Sequence, residues 1–258
     1  MNHKQNIVAI IRAAGDGKRM QSVVPKVLHK LHNKALVEHV IDNVKASGVC
    51  EKPTVVVSPK HTQVQEALGQ NVEYVVQEEQ LGTGHAVKVA ESAVRSVAPQ
   101  VEHVVVFYGD MPFLSSASIK EMVERHMSSG AAITLLTACP ENFEDWRSAF
   151  AAYGRIVRDE RGVIERIVEF RDASEVESQI KEVNTGFYCF RADWLWAHLK
   201  QLKNNNNQSE YYLTDLIQMA IEEGEMIGSM SIDMQEAYGI NSSADLAFAE
   251  RYFTHSDD

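Results

Sequence analysis

Ile7-Val8-Ala9-Ile10-Ile11-Arg12-Ala13-Ala14-Gly15-Asp16-Gly17-Lys18-Arg19-Met20 runs from five apolar residues into a loop of small residues, two glycines and adjacent cations. So short an apolar run, rich in β-branched residues, reads as a strand buried on both faces, the habit of parallel sheets. The loop after it suits close approach to a ligand. Glycines reach positive φ without strain, and successive backbone N–H groups there can form a nest for an anion. Lys18 and Arg19 add positive charge, and Pro25-Lys26 places a third cation nearby. Neither the Walker phosphate loop nor the dinucleotide glycine fingerprint is present. On spacing alone two readings stand: a phosphate-binding loop, or a tight strand-to-helix turn with solvated Lys and Arg.

Outward from this loop, strand and helix patterns alternate. Ala35–Ser47 has helical spacing and stops at Gly48. Thr54–Ser58 and Val72–Val76 predict strands, with a short helix at Thr62–Leu68 between them. Gly84–Val97 predicts a helix, Val101–Phe107 an apolar strand, Ser116–Ser128 a helix and Ala131–Thr137 a strand. Such alternation points to βαβ units. The second half changes character. Gly154–Arg158 and Val163–Phe170 predict a hairpin, and Val183–Phe190 and Met226–Ile232 strands. Ala192–Lys203, Tyr212–Glu223 and Ser243–Phe253 predict helices, the last capped by Ser242 or Ser243. The expected fold is α/β: a Rossmann-like, mixed but mostly parallel sheet flanked by helices, with an inserted hairpin-rich lobe. One domain is expected over 1–253, its main part at about 1–138 with a return at 226–253, its lobe at about 139–225, and a frayed tail at 254–258.

Composition narrows the function. The 258 residues are 45% hydrophobic and 24% charged, as in ordinary globular proteins. Lys plus Arg number 25 and Asp plus Glu 36, a formal charge of −11. Nucleic acid and anionic membranes call for a cationic surface, so neither is an expected partner. An anionic substrate would need its cations gathered in one site. Cys50, Cys139 and Cys189 form no Cys-x-x-Cys pair and read as free thiols in a reducing compartment. No signal-peptide pattern opens the chain and no run nears the ~20 apolar residues of a membrane span, so the cytoplasm is expected. The histidines show no metal-ligand spacing, and His29 and His85 read as structural.

Six blocks, in order, carry a resemblance. They are Ala13-Ala14-Gly15-x-Gly17-x-Arg19-Met20 with Pro25-Lys26-Val27-Leu28-His29; Gln77-x-x-Gln80-Leu81-Gly82-Thr83-Gly84-His85-Ala86; Tyr108-Gly109-Asp110-x-Pro112; Tyr153-Gly154-Arg155-Ile156 with Val168-Glu169-x-x-Asp172-Ala173; Glu182-Val183-Asn184-Thr185-Gly186; and Glu210-Tyr211-Tyr212-x-Thr214-Asp215 with Gly239-Ile240-Asn241. Together they resemble the sugar nucleotidyltransferase family, and within it the bacterial uridylyltransferase domains that act on N-acetylglucosamine 1-phosphate.

That resemblance implies a magnesium-dependent reaction of UTP with N-acetylglucosamine 1-phosphate, giving UDP-N-acetylglucosamine, a cell-wall precursor, and pyrophosphate. It implies that Arg19, Lys26 and Asp110 are catalytic, and that Asp110 and Asn241 hold Mg²⁺. Ala13, Ala14, Gly15, Gly17 and Lys26 would cradle the nucleotide, with Gln77, Gly82 and Thr83 reading the base. Tyr108, Gly109, Gly154, Glu169, Asn184, Thr185 and Tyr212 would line the sugar-phosphate side, making 139–225 a sugar-binding lobe. Local sequence offers plainer readings: Thr83 as a helix cap, Asp110 as a turn former, Glu169 on a solvated strand face.

Departures from the family pattern bear on specificity. Arg12 stands where an apolar residue, commonly Leu, is usual; it would contact phosphate, alter nucleotide choice, or reach to solvent. Pro140–Ala152 is longer than usual and carries Phe143, Trp146 and Phe150, as a lid, an oligomer contact or core filling. Asn33, Phe170 and Ser209 replace Gly, His and Gly. No hexapeptide repeat of the family's acetyltransferase domain is present, so acetyl transfer is not expected. Two alternatives remain: the same chemistry on another sugar 1-phosphate or nucleotide, and a catalytically silent UDP-sugar-binding homologue.

Overall fold

Ile7, Ala9 and Ile11 pack on one side of the first strand, and Val8 and Ile10 on the other. That period of two places the strand inside a sheet covered on both faces. A computed structural model describes residues 6–253; the tail expected at 254–258 lies outside them. The strands are β1 (Ile7–Arg12), β2 (Lys30–Leu31), β3 (Lys34–Ala35), β4 (Thr54–Val57), β5 (Glu73–Val76), β6 (His103–Tyr108), β7 (Ile133–Ala138), β8 (Arg155–Arg158), β9 (Ile164–Val168), β10 (Val183–Arg191) and β11 (Ile227–Ser231). The helices are α1 (Leu36–Ala46), α2 (Thr62–Leu68), α3 (Thr83–Val97), α4 (Ser116–Ser129), α5 (Glu175–Ser178), α6 (Ala192–Leu199), α7 (Asp215–Glu222) and α8 (Ser243–Tyr252).

The main sheet runs β11-β7-β10-β6-β1-β4-β5. Its pairs are parallel except where β10 meets β6 and β7. The chain leaves β1 for β4 and β5 on one side, then returns to β6 on the other. Strand order therefore reverses between β1 and β6, and a crevice opens beyond their carboxyl ends, where open α/β sheets bind ligands. Arg12 and Tyr108 are partners in register at that rim.

The stretch read as an inserted lobe divides in two. Residues of β10 lie at the centre of the sheet, buried from Val183 to Phe190. The hairpin β8–β9 joins the sheet through β10, its one register pair there being Val183 with Arg155. Buried Arg155 donates to the carbonyls of Ala151, Tyr153 and Ser178, which ties the backbone before Gly154 to α5.

Pro140–Ala152 fills core. Its last residues, Asp145–Ala152, wind as 3-10 turns. Phe150 is fully buried, and Trp146 meets the rings of Phe150, Tyr238, Phe248 and Phe253. The helix expected from Tyr212 starts only at Asp215, because the preceding backbone is engaged elsewhere. The Tyr211 carbonyl accepts from Gly84 N–H at 2.8 Å, and Leu213 N–H donates to Thr83 Oγ1 at 2.7 Å. Ser242 is the α8 cap, as one of the two expected residues. Asn33 and Ser209 both take left-handed backbone, φ 68° and 55°, which explains why glycine suits these positions.

Candidate active site

The loop after β1 is pinned at its start, where Ala13 N–H donates to the Val56 carbonyl at 2.8 Å. Gly17 has φ 59°, and a Cβ there would lie 2.7 Å from the Cβ of Lys26. Glycine lets the loop fold against the strand-distant segment that carries Lys26.

Side chains far apart in sequence meet beside this loop. Lys26 Nζ pairs with Asp110 and donates to Asn241 Oδ1 at 3.1 Å. Arg19 Nη2 donates to the same Asn241 oxygen at 2.9 Å. The Lys26 and Asp110 side chains are each 14% exposed, enough for a ligand to reach and too little for bulk water to screen them fully. Neighbouring segments set their positions. Ile240 N–H donates to the Asp110 carbonyl at 2.9 Å, and Asp245 Oδ2 of the α8 capping box accepts from Asn241 N–H at 2.9 Å.

Two cavities open from this cluster. The first, about 350 Å³, is lined by Arg12, Ala14, Gly15, Lys26, Gln77, Gln80, Gly82, Thr83, Tyr108, Asp110 and Asn241. Gln77 is 4% exposed, and its Nε2 donates to His85 Nδ1 at 3.1 Å. Burial lowers the His85 pKa, which favours the neutral ring that can accept this bond. The Gln77 carbonyl oxygen is left to accept from a ligand N–H. Gly82 has φ 103°, and a Cβ there would sit 2.8 Å from the Tyr211 carbonyl oxygen. Thr83 does not cap its own helix; its hydroxyl holds Leu213 instead.

The second cavity, about 260 Å³, shares Thr83, Tyr108, Asp110 and Asn241 with the first and adds Arg19, Tyr153, Gly154, Glu169, Asn184, Thr185 and Thr214. Burial raises the Glu169 pKa, opposed by a 2.9 Å bond from Thr214 Oγ1. Asn184 Nδ2 donates to the Tyr188 hydroxyl at 2.6 Å, and its Oδ1 accepts from Gly186 N–H at 3.1 Å. Thr185 Oγ1 is committed to the Leu136 carbonyl at 2.7 Å.

Most of the residues singled out from the sequence meet around these cavities; four do not line them. Gly17 lines an adjoining hollow with Arg19 and Lys26 instead. Tyr212 is 6% exposed and its hydroxyl accepts from Gln208. Ala13 is buried under the loop. Gly109 is packed below, its N–H on the Arg12 carbonyl at 2.9 Å. Sequence reasoning passed over Gln80, whose Nε2 donates to the Ala14 carbonyl at 2.5 Å and to Asp16 at 2.8 Å, clipping the two loops together. Its only sequence signal was its place in the Gln77–Ala86 block.

Asp110 and Asn241 offer a carboxylate and an amide oxygen to one shared cation, at present the Lys26 ammonium. Hard Mg²⁺ takes such oxygens and completes its shell with phosphate and water. Among the described residues no cluster of three His, Cys, Asp or Glu could hold a metal. The donor set therefore fits an ion held partly by the ligand, and does not fit an all-protein cage.

Known proteins resemble this chain in sequence and in fold. The chain is 40% identical over 242 residues to the bifunctional protein GlmU of Clostridium botulinum strain Loch Maree, covering 94% of this chain and 51% of that protein. It is 42% identical over 239 residues to GlmU of Clostridium acetobutylicum, covering 92% and 50%. The chain thus spans about half the length of the curated relatives it matches. A crystal structure of a candidate glucose-1-phosphate thymidylyltransferase from Bacillus anthracis superposes with a TM-score of 0.74 at 19% identity, covering 95% of this chain and 94% of that one, and shows the same fold. No helix among the described residues is long and apolar enough to cross a membrane. The family model of the MobA-like NTP transferase domain matches residues 9–208. That match runs through the loop after β1, the Gln77–Ala86 block, Asp110 and the hairpin β8–β9, and by it the chain belongs to the MobA-like NTP transferase domain family.

Proposed function

We propose that this chain is a magnesium-dependent uridylyltransferase that converts UTP and N-acetylglucosamine 1-phosphate into UDP-N-acetylglucosamine and pyrophosphate. The observation that carries this reading is the convergence of Arg19, Lys26, Asp110 and Asn241 where the two cavities join. One cavity has the size and amide lining for a nucleoside; the other has a buried carboxylate and hydroxyls for a sugar. The similarity to GlmU proteins over 94% of this chain supports the choice among sugar nucleotidyltransferases.

An oxygen of the sugar phosphate attacks the α-phosphorus in line. The bond from that phosphorus to the bridging oxygen of the β-phosphate breaks, and pyrophosphate leaves with the electron pair. Two polyanions must be held together: at 4 Å, like unit charges repel by about 4 kcal/mol at an effective dielectric of 20. Arg19 and Lys26 offset that repulsion, and the loop N–H groups around Gly15–Gly17 orient the triphosphate. Gln77 accepts from the base N–H, and Glu169 accepts from sugar hydroxyls. Mg²⁺, held by Asp110 and Asn241, would neutralise charge on the phosphoryl oxygens. Free Cys50, Cys139 and Cys189 suit a reducing cytoplasm.

The second reading keeps the chemistry and changes the nucleotide or sugar. Arg12 in the nucleotide cavity favours it. A panel of nucleoside triphosphates against sugar 1-phosphates, read as pyrophosphate release, separates the two. Preference for UTP with N-acetylglucosamine 1-phosphate supports the first. Binding of UDP-sugar without turnover of any pair would identify a silent homologue.

A further inference from the structure

Arg12 ends β1, and its guanidinium lies over the Tyr108 ring, 4.4 Å from the centroid. Its Nε and Nη1 are shut off from water and have no hydrogen-bond partner among the described residues. A guanidinium only donates. Buried donors left unmet are costly, which points to a group that meets them when the cleft is filled. The place of that group follows from the cavities. Arg12 lines the nucleotide cavity beside Ala14, Gln77, Gly82 and Thr83. It is not part of the hollow formed by Gly17, Arg19 and Lys26, where the triphosphate belongs.

Resting on the reading of the cleft as a nucleotidyltransferase site, we propose that Arg12 is a nucleotide-selecting residue that donates to an oxygen of the bound nucleoside, a base carbonyl or a ribose hydroxyl. A base carbonyl satisfies such a donor, whereas an exocyclic amino group meets it with another donor. The ring of Tyr108 gives the guanidinium a surface to rest on, which restrains it beside the cavity.

The test compares wild type with Arg12→Met, which keeps an unbranched stem without charge, and Arg12→Lys, which keeps charge without the fork. Steady-state kinetics with UTP, 2′-deoxy-UTP and CTP would be joined by titration with inorganic pyrophosphate and by thermal melting. Arg12→Met should raise the KM for UTP about tenfold with kcat within about twofold, the loss of one charge-assisted hydrogen bond. Arg12→Lys should shift it in the same direction and less, which keeps the test open should the Met variant fail to fold. Pyrophosphate affinity should stay unchanged, and the melting temperature of Arg12→Met should not fall, whereas a merely structural arginine would lower it. If the penalty disappears with 2′-deoxy-UTP, the acceptor is the ribose hydroxyl; if UTP loses its advantage over CTP, it is the base carbonyl. An unchanged KM for UTP in both variants, or an equal loss of pyrophosphate binding, overturns the inference alone. A wild-type chain that turns over no nucleoside triphosphate overturns the reading of the cleft beneath it.

Discussion

The two sides of the cleft are built differently. On the side proposed for the nucleotide, two backbone segments frame the surface, the loop after β1 and the turn through Gly82 into α3, beside the side chains of Arg12, Gln77 and Gln80. Glycines permit it, because Gly17 and Gly82 hold positive φ where a Cβ would strike Lys26 or Tyr211. On the sugar side the surface is side chain, with Glu169, Asn184 and Thr185 each held by an internal hydrogen bond. A backbone surface tolerates little local substitution but depends on short stretches of chain. A side-chain surface is assembled from remote strands, and each member can be changed alone. The charged cluster of Arg19, Lys26, Asp110 and Asn241 joins the two sides.

The sharpest way to break this comparison is at the joint. Asp110→Ala and Lys26→Ala should each lower kcat by about 10²–10³-fold, as loss of a pre-positioned charge at a reacting phosphate does, while circular dichroism stays native. Next comes Gly82→Ala. It forces a side chain into φ 103° against the Tyr211 carbonyl and should cost about 1–3 kcal/mol in denaturant unfolding. An unaffected midpoint would mean that the backbone surface is not constrained as described. On the sugar side, Glu169→Gln should raise KM for the sugar phosphate about tenfold and leave KM for the nucleotide alone. Equal effects on both substrates would merge the two sides into one.

The smallest effect is one of pH. Burial, then the charges of Glu169 and Asp172, raise the Asp215 pKa from 3.8 to about 6. The fold therefore favours the protonated acid: its contribution is complete below about pH 4 and is lost as pH rises through 6. Discounted for partial exposure, the shift corresponds to about 1 kcal/mol. Asp215→Asn should accordingly stabilise the protein by that amount at pH 8 and change nothing below pH 4, read by urea melts at both.

The same division explains what could be read from the sequence. The buried strands and the loop after β1 are contiguous, so their patterns were visible, and the order of alternation implied the α/β fold. Asp110 was legible because it follows an apolar strand at the edge where such sheets bind ligands. Local pattern could not show that Asn241 meets Lys26, since only folding brings the α8 capping box beside the first loop. Tyr212 looked like a site residue by its block, yet it lines neither cavity, while the flanking backbone of Tyr211 and Leu213 is drawn to α3. The aromatic insertion left three readings open, and ring packing of Trp146 on Phe150, Phe248 and Phe253, with Phe150 fully buried, identifies core.

Joint occupation of the two cavities across the charged cluster is tested most directly by mixing the protein with UTP, N-acetylglucosamine 1-phosphate and Mg²⁺ and following both products. Pyrophosphate and UDP-N-acetylglucosamine should form in equal amounts, and chelating the metal or Asp110→Ala should stop both. Pyrophosphate appearing without the sugar phosphate, or no product with any sugar 1-phosphate while each substrate binds alone, would contradict it.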